Sequence, residues 1–194
     1  MKQSTTYTVR YRRKREGRTN YLKRLNLLKS SRPRIVIRMS NNNIVIQLVE
    51  YKQNGDNVKL SSSSLELRKL GWKYHTGNIA SSYLLGLLFG KRLQQNKVSQ
   101  GVLDIGSHVS VAGSRIYATA QGLIDSGIDV PVSKEILPTQ DRVSGKHISE
   151  YAKYLKNKDV ERYNKQFSNY VKNNLDPVKI CDDFKQMKDK ILKA

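Results

Sequence analysis

The sequence is poor in cysteine: Cys181 is the only one among 194 residues. It cannot close a disulfide within the chain, so the chain reads as a protein of a reducing compartment. Histidine is scarce as well. His75, His108 and His147 stand too far apart for zinc-ligand spacing, and no metal or other cofactor is expected. Long apolar runs are missing too. The longest, Tyr83 to Phe89, is far shorter than a membrane span and contains Gly86. The start, Met1-Lys-Gln-Ser, lacks the apolar core of a signal peptide, so no membrane partner and a cytoplasmic location are expected. Acidic residues are the remaining shortage. Asp and Glu number 16 against 36 Lys and Arg, a net charge of +20. Solubility does not require such an excess, whereas a polyanionic partner does. With 38% hydrophobic residues the chain supports one modest core, not two large enzyme domains with a cleft between them. Part of it is expected to order only on its partner.

The charge is concentrated. Residues 1–38 carry net +12, residues 39–150 only +3 and residues 151–194 +5. This is the distribution of a basic arm on a near-neutral body. Within the arm, Arg10 to Arg18 holds too much like charge to collapse alone, and Tyr7, Tyr11 and Tyr21 are interleaved with the cations. Guanidinium groups bind phosphates bidentately, and both they and tyrosine rings stack on bases. Thr19 is placed to cap a short helix with Tyr21, Leu25 and Leu28 on one side and Lys23, Arg24 and Lys29 elsewhere. Such a helix fits between a body and a polyanion. A solvated tail would not need arginine in preference to lysine, and a membrane-surface helix would want Trp or Phe.

Downstream of Pro33, Ile35-Val36-Ile37 is a β-branched run. The Ser40 to Asn43 turn and the strand Ile44 to Val49 complete a hairpin, and Asn54-Gly55-Asp56 turns the chain into a third strand around Val58 to Ser61. Ser63 with Glu66 fits a capping box for a helix ended by Gly71. Apolar positions from Ile79 to Leu93 cover a wide helical arc, so that helix is expected to be mostly buried. Val102 to Ile105 reads as an inner strand. Ser114 is placed to cap a helix carrying Ile116, Ala120, Leu123 and Ile124, and Ile128 to Val132 as an edge segment, because Pro131 cannot donate to a ladder. The expected fold is α/β. A three-stranded antiparallel meander is continued by helix-strand units into a mixed sheet with packed helices, flanked by a basic N-terminal arm and a helical C-terminal extension. The expected division is 1–32 for the arm, 33–135 for the body and 136–194 for the extension. In the last, Ile180, Phe184, Met187 and Ile191 line one helix side and must dock on the body or on a neighbour.

Signs of catalysis are thin. The Asp104 to Arg115 segment lies where open α/β sheets bind phosphates, yet it has neither GxGxxG nor a Walker pattern; Arg115, at a helix start, could touch an RNA phosphate. Asp104 and His108 lack an accompanying nucleophile or carboxylate cluster, and Cys181 beside Asp182 and Asp183 is disfavoured as a thiolate. Trp72, with Tyr74, Thr76 and Asn78, is suited either to stacking on a base or to packing under the sheet, the commoner role of tryptophan.

Taken in order, Arg12 to Tyr21, Arg24-Leu25, Leu27 to Ser30, Arg32-Pro33-Arg34, Ser40-Asn41, Gln47 to Val49, Gly71-Trp72, Thr76-Gly77-Asn78 and Val102 to Gly106 resemble the archaeal form of the universal large-subunit ribosomal protein L eighteen family, over about residues 7–150. The resemblance implies a fold of the translational-machinery-component type and no enzymatic activity. It implies a constituent of the large ribosomal subunit that binds 5S ribosomal RNA and helps anchor it to the large-subunit ribosomal RNA in the central protuberance, among neighbouring ribosomal proteins, with no small-molecule substrate. By matching position it implies RNA-facing roles for Arg10, Arg12, Arg13, Lys14, Arg15, Arg18, Thr19, Asn20, Tyr21, Lys23, Arg24 and Lys29 of the arm. It implies the same for Arg32, Arg34 and Arg38 around the first strand, Ser40 and Asn41 of the turn, and Trp72, Thr76 and Asn78 of the loop. Met39 and Val45 depart from the pattern, standing where relatives often place a basic residue. Recognition by shape and phosphate is expected to dominate, and about eight engaged phosphates correspond to a log K against log salt slope of roughly −6 to −7. The rival readings are an RNA-processing or modifying enzyme with a basic arm, and an RNA chaperone without preference among structured RNAs.

Overall fold

Residues 8–193 are described by a computed structural model, which leaves Tyr7, the first of the interleaved tyrosines, outside the described residues. The sheet is built from β1 (Arg34–Met39), β2 (Ile44–Lys52), β3 (Gly55–Ser63) and β4 (Val102–Asp104), in the order β3-β2-β1-β4. The first three strands form the expected antiparallel meander. β4 returns parallel to β1, with Arg34 opposite Val102 and Val36 opposite Asp104. Two sequence expectations need correction here. β4 lies at an edge, not inside the sheet: it pairs with β1 alone, and its apolar Val102 and Leu103 are only half-buried. The Ile128 to Val132 segment forms no strand and touches the sheet edge through an isolated bridge between Gln100 and Asp129.

Strand alternation splits the sheet into two different faces. Ile35, Ile37, Ile44, Ile46 and Leu48 point into the core. Arg34, Val36, Arg38, Gln47 and Val49 point the other way. A bulge interrupts β3: Leu48 pairs with Leu60 but Val49 pairs with Val58, which leaves Lys59 over. This breaks the two-residue parity of β3, so that Leu60 joins the core side while Val58 and Asp56 face the opposite side.

The core face is covered by α4 (Ile79–Gln95), with Tyr83, Leu84, Leu87 and Leu93 buried, and by α5 (Arg115–Asp125), with Ile116, Ala120 and Leu123 buried. These two helices touch backbone to backbone. A Cβ on Gly86 would lie 2.2 Å from the Thr119 carbonyl oxygen, and one on Gly122 would lie 2.3 Å from that of Tyr83. Ser114 does occupy the N-cap position of α5, but its hydroxyl makes no capping hydrogen bond and is buried without a partner. The short α3 (Glu66–Leu70) precedes α4 and ends at Gly71, whose φ of +111° is the left-handed terminator the sequence predicts. Of the predicted capping box the reach-back half forms, with the Ser63 N–H donating to Glu66 Oε1 at 2.8 Å.

The extension docks on its own body. α6 (Gln140–Val143), α7 (Lys146–Lys158), α8 (Val160–Gln166) and α9 (Ser168–Lys172) lead to α10 (Ile180–Lys193), whose Ile180, Phe184, Met187 and Ile191 all enter the main core. Phe184 packs 5.7 Å from the Tyr83 ring of α4. A second, smaller cluster of Ala152, Leu155, Tyr163 and Phe167 joins α7 to α8. Cys181 lies half-buried against the main core, and burial, with Asp182 adding to it, raises its thiol pKa.

Candidate nucleic-acid interface

The arm crosses the face of the sheet that the core leaves open. Two arm helices, α1 (Arg12–Arg15) and α2 (Tyr21–Lys29), are separated by Glu16 to Asn20. Asn20, rather than Thr19, is the N-cap of α2: its Oδ1 accepts from the Leu22 and Lys23 N–H groups, both at 3.1 Å. Asparagine reaches those donors with a planar carbonyl, while the Thr19 hydroxyl accepts from Arg13 Nε at 2.8 Å and fixes the turn between the two helices. The side of α2 facing the sheet also differs from the Tyr21-Leu25-Leu28 stripe. Leu25 is 51% exposed and Arg24 points inward with the half-buried Leu27 and Leu28.

Between the arm and the sheet runs a groove of about 550 Å³. Arg13, Arg18, Lys23, Arg24, Arg34 and Arg38 line it against two carboxylates, Asp56 and Asp104. Both carboxylates are already engaged. Arg24 grips Asp56 through two hydrogen bonds of 2.7 Å, one from each terminal nitrogen. Arg34, whose side chain is 4% exposed, places Nη2 2.7 Å from the same carboxylate and donates from Nη1 to Asp104 Oδ2 at 2.9 Å. The Nη2 contact lies off the N–H axis, and Arg34 Nε is buried with no partner. Asp104 also accepts from the Gly106 N–H at 2.8 Å, and its carbonyl accepts from Arg38 Nη1 at 3.0 Å. The row Arg24-Asp56-Arg34-Asp104-Arg38 keeps one net positive charge. The Arg24 fork holds the Asp56 carboxyl at about 2, against the opposing effect of burial and with further help from Arg34.

The sequence-predicted residues separate into four groups. Arg13, Arg18, Thr19, Asn20, Tyr21, Lys23, Arg24, Arg34 and Arg38 are brought together in the groove. Arg10, Arg12, Lys14, Arg15 and Lys29 are exposed along the arm, with Tyr11 stacked at an angle 5.4 Å from Tyr21, and Arg32 pairs with Asp129 at 3.3 Å. Ser40 and Asn41 are exposed on the β1–β2 turn, where the Ser40 hydroxyl donates to the Asn43 carbonyl and accepts from its N–H. The last group turns inward and corrects the RNA-facing expectation for Trp72 and Thr76. Trp72 is 2% exposed and lies against Tyr74, because its bicyclic ring fills the gap between α3 and α10. Thr76 is fully buried and its hydroxyl bonds the Asn42 carbonyl and Asn43 Oδ1. Asn78 caps α4 through the Ser81 N–H at 2.8 Å. Arg115 donates to the carbonyls of Ser40 and Gly77, so it clamps turn to loop. Gly77 is required there, since a Cβ would sit 2.8 Å from the Asn41 carbonyl oxygen. Thr76 and Arg115 position the exposed turn from behind.

Sequence reasoning missed the floor of the groove, Val36, Gln47, Val49 and Val58, and the bridging role of Asp56. Among the described residues no three His, Cys, Asp or Glu side chains gather as a metal site. No helix there is long and apolar enough to cross a membrane.

Residues 5–100, which span the arm, the meander and α4, match the model of a family described as ribosomal large subunit proteins 60S L5, and 50S L18. The chain belongs to this family. It is therefore a ribosomal protein of the large subunit, with ribosomal RNA and ribosomal proteins as its partners, and membership points to a structural role.

Proposed function

We propose that this large-subunit protein binds 5S ribosomal RNA and helps anchor it to the large-subunit ribosomal RNA in the central protuberance, with no catalytic step of its own. The observation that carries the reading is the convergence in one groove of nine residues that the family resemblance marks as RNA-facing, from Arg13 to Arg24 on the arm and Arg34 and Arg38 on the sheet. The groove is open and shallow enough to follow a backbone, and its cations alternate with Tyr21 and Asn20, which can contact sugars and bases. The arm neutralises phosphates. The sheet fixes the angle at which it does so. The enzyme alternative loses its best candidate, because Asp104 is occupied by Arg34 and by the Gly106 N–H and is not free to act as a base.

Equilibrium binding of the purified chain to 5S ribosomal RNA, beside a length-matched duplex competitor, tests the proposal. Tight binding with a clear preference for the 5S RNA is expected. Equal affinity for both RNAs would replace this reading with that of a general RNA chaperone.

A further inference from the structure

Asp56 is an acidic residue in a groove fit for a polyanion, where simple charge counting makes it a defect. We infer that Asp56 is instead a positioning residue for RNA binding, holding α2 on the sheet so that the cations of the arm face one way before RNA arrives. The inference rests on the RNA-binding reading above.

Little else holds α2 in place. None of its residues is buried, and Leu22 and Leu25 are 75% and 51% exposed. Among the described residues, the Arg24 fork on Asp56 is the only hydrogen-bonded side-chain link between α2 and the sheet. A bidentate fork fixes direction as well as distance, which a single point contact does not. The same carboxylate separates two like charges. Without it, Arg24 and the buried Arg34 would face each other across the groove, and their repulsion would push the helix outward. The β3 bulge serves this arrangement. Regular alternation would put Asp56 on the same face as Leu60, in the core, and the leftover Lys59 turns it to the arm. A helix fixed in its bound position loses less freedom when it binds, so the fixed arm binds more tightly than a loose one of equal charge.

The test compares two substitutions in one hairpin that each remove a negative charge. Asp56→Asn breaks the link, while Glu50→Gln removes a half-buried acid paired only with Lys59 among the described residues. In about 0.15 M salt, Asp56→Asn should bind 5S RNA roughly tenfold more weakly than the wild type, and Glu50→Gln as tightly or more tightly. Hydrogen exchange of the free protein should be faster at the amides of residues 21–29 in Asp56→Asn and unchanged in α4. Arg24→Lys keeps the net charge and loses the fork; it should show the same two effects, and it preserves the test if Asp56→Asn folds poorly. Affinity equal to or above that of the wild type in Asp56→Asn, or unaltered exchange in α2, overturns the inference. A wild type without preference for 5S RNA would refute the proposed function separately, and the duplex affinities of the same variants would then judge the role of Asp56.

Discussion

The salt dependence of RNA binding follows from which arm cations the fold leaves free. Among the described residues, Arg10, Arg13, Lys14, Arg15, Lys23 and Lys29 are exposed and have no acidic partner, while Arg12 and Arg18 share Glu16 and contribute one net charge between them. Arg24 and Arg32 are neutralised by Asp56 and Asp129. About seven phosphates can thus be matched, and at about 0.7–0.9 per phosphate the slope of log K against log salt is roughly −5 to −6. This is shallower than the roughly −6 to −7 that about eight engaged phosphates would give. Raising salt from about 50 to about 200 mM should weaken binding on the order of a thousandfold. The double substitution Lys14→Gln/Arg15→Gln removes two unpaired charges and should flatten the slope by about 1.5. Fluorescence anisotropy of end-labelled 5S RNA across a salt series measures both values. A slope within about one of zero, or a double variant with the wild-type slope, would refute the electrostatic account.

Two further substitutions test the scaffold behind the site. Gly86→Ala puts a methyl group 2.2 Å from the Thr119 carbonyl oxygen, so α4 and α5 must separate; a loss of about 3 kcal/mol, or roughly 6–12 °C in melting temperature, is expected, whereas helix propensity alone would raise it. Trp72→Phe should lower stability by about 1–2 kcal/mol with RNA affinity kept, and Trp72 emission should not shift on adding RNA; lost affinity with an unaltered melt would place Trp72 on the RNA.

How much could be read in advance depended on whether the cause was local. α10 was legible because Ile180, Phe184, Met187 and Ile191 repeat at helical spacing, and the hairpins because Asn and Gly mark the turns. Family resemblance and charge singled out nine residues that the fold gathers in one groove. The edge position of β4 was hidden, because a short apolar segment looks the same at an edge as inside. Val36 obscured the strand alternation, since a valine under the arm joins Ile35 and Ile37 in one unbroken apolar run. Asp56 had no signature at all. Its partners are 32 residues upstream and two strands across the sheet, and a bulge that no local motif announces decides which face it takes. Trp72 and Thr76 carried side chains equally suited to RNA and to a core, a choice settled by packing against α10 and the Asn42 carbonyl.

The two ends of the chain differ in what they contribute to the core, and deletion should separate them. No described residue from 8 to 32 is buried, and the arm's ion pairs with the body, Arg32–Asp129 and the Arg24 fork on Asp56, lie near the surface, so a chain of residues 33–194 forfeits about 1–2 kcal/mol and should melt cooperatively while losing most of its RNA affinity. The extension is another matter. Ile180, Phe184, Met187 and Ile191 are at most 6% exposed, and at about 1.5–3 kcal/mol each their burial supplies roughly 6–12 kcal/mol. That is about the whole stability of an ordinary domain, 5–15 kcal/mol. A chain ending at residue 135 would also leave Tyr83 without Phe184 and the face of α4 open to water. It should show no cooperative transition by circular dichroism. A cooperative melt of residues 1–135, or its loss in residues 33–194, would refute this account. The expected asymmetry separates binding from folding: the family match ends at residue 100, yet the helix that completes the core of the matched region begins at Ile180. The arm, to which the proposed function assigns the RNA contacts, lies inside the match and supplies almost none of the stability.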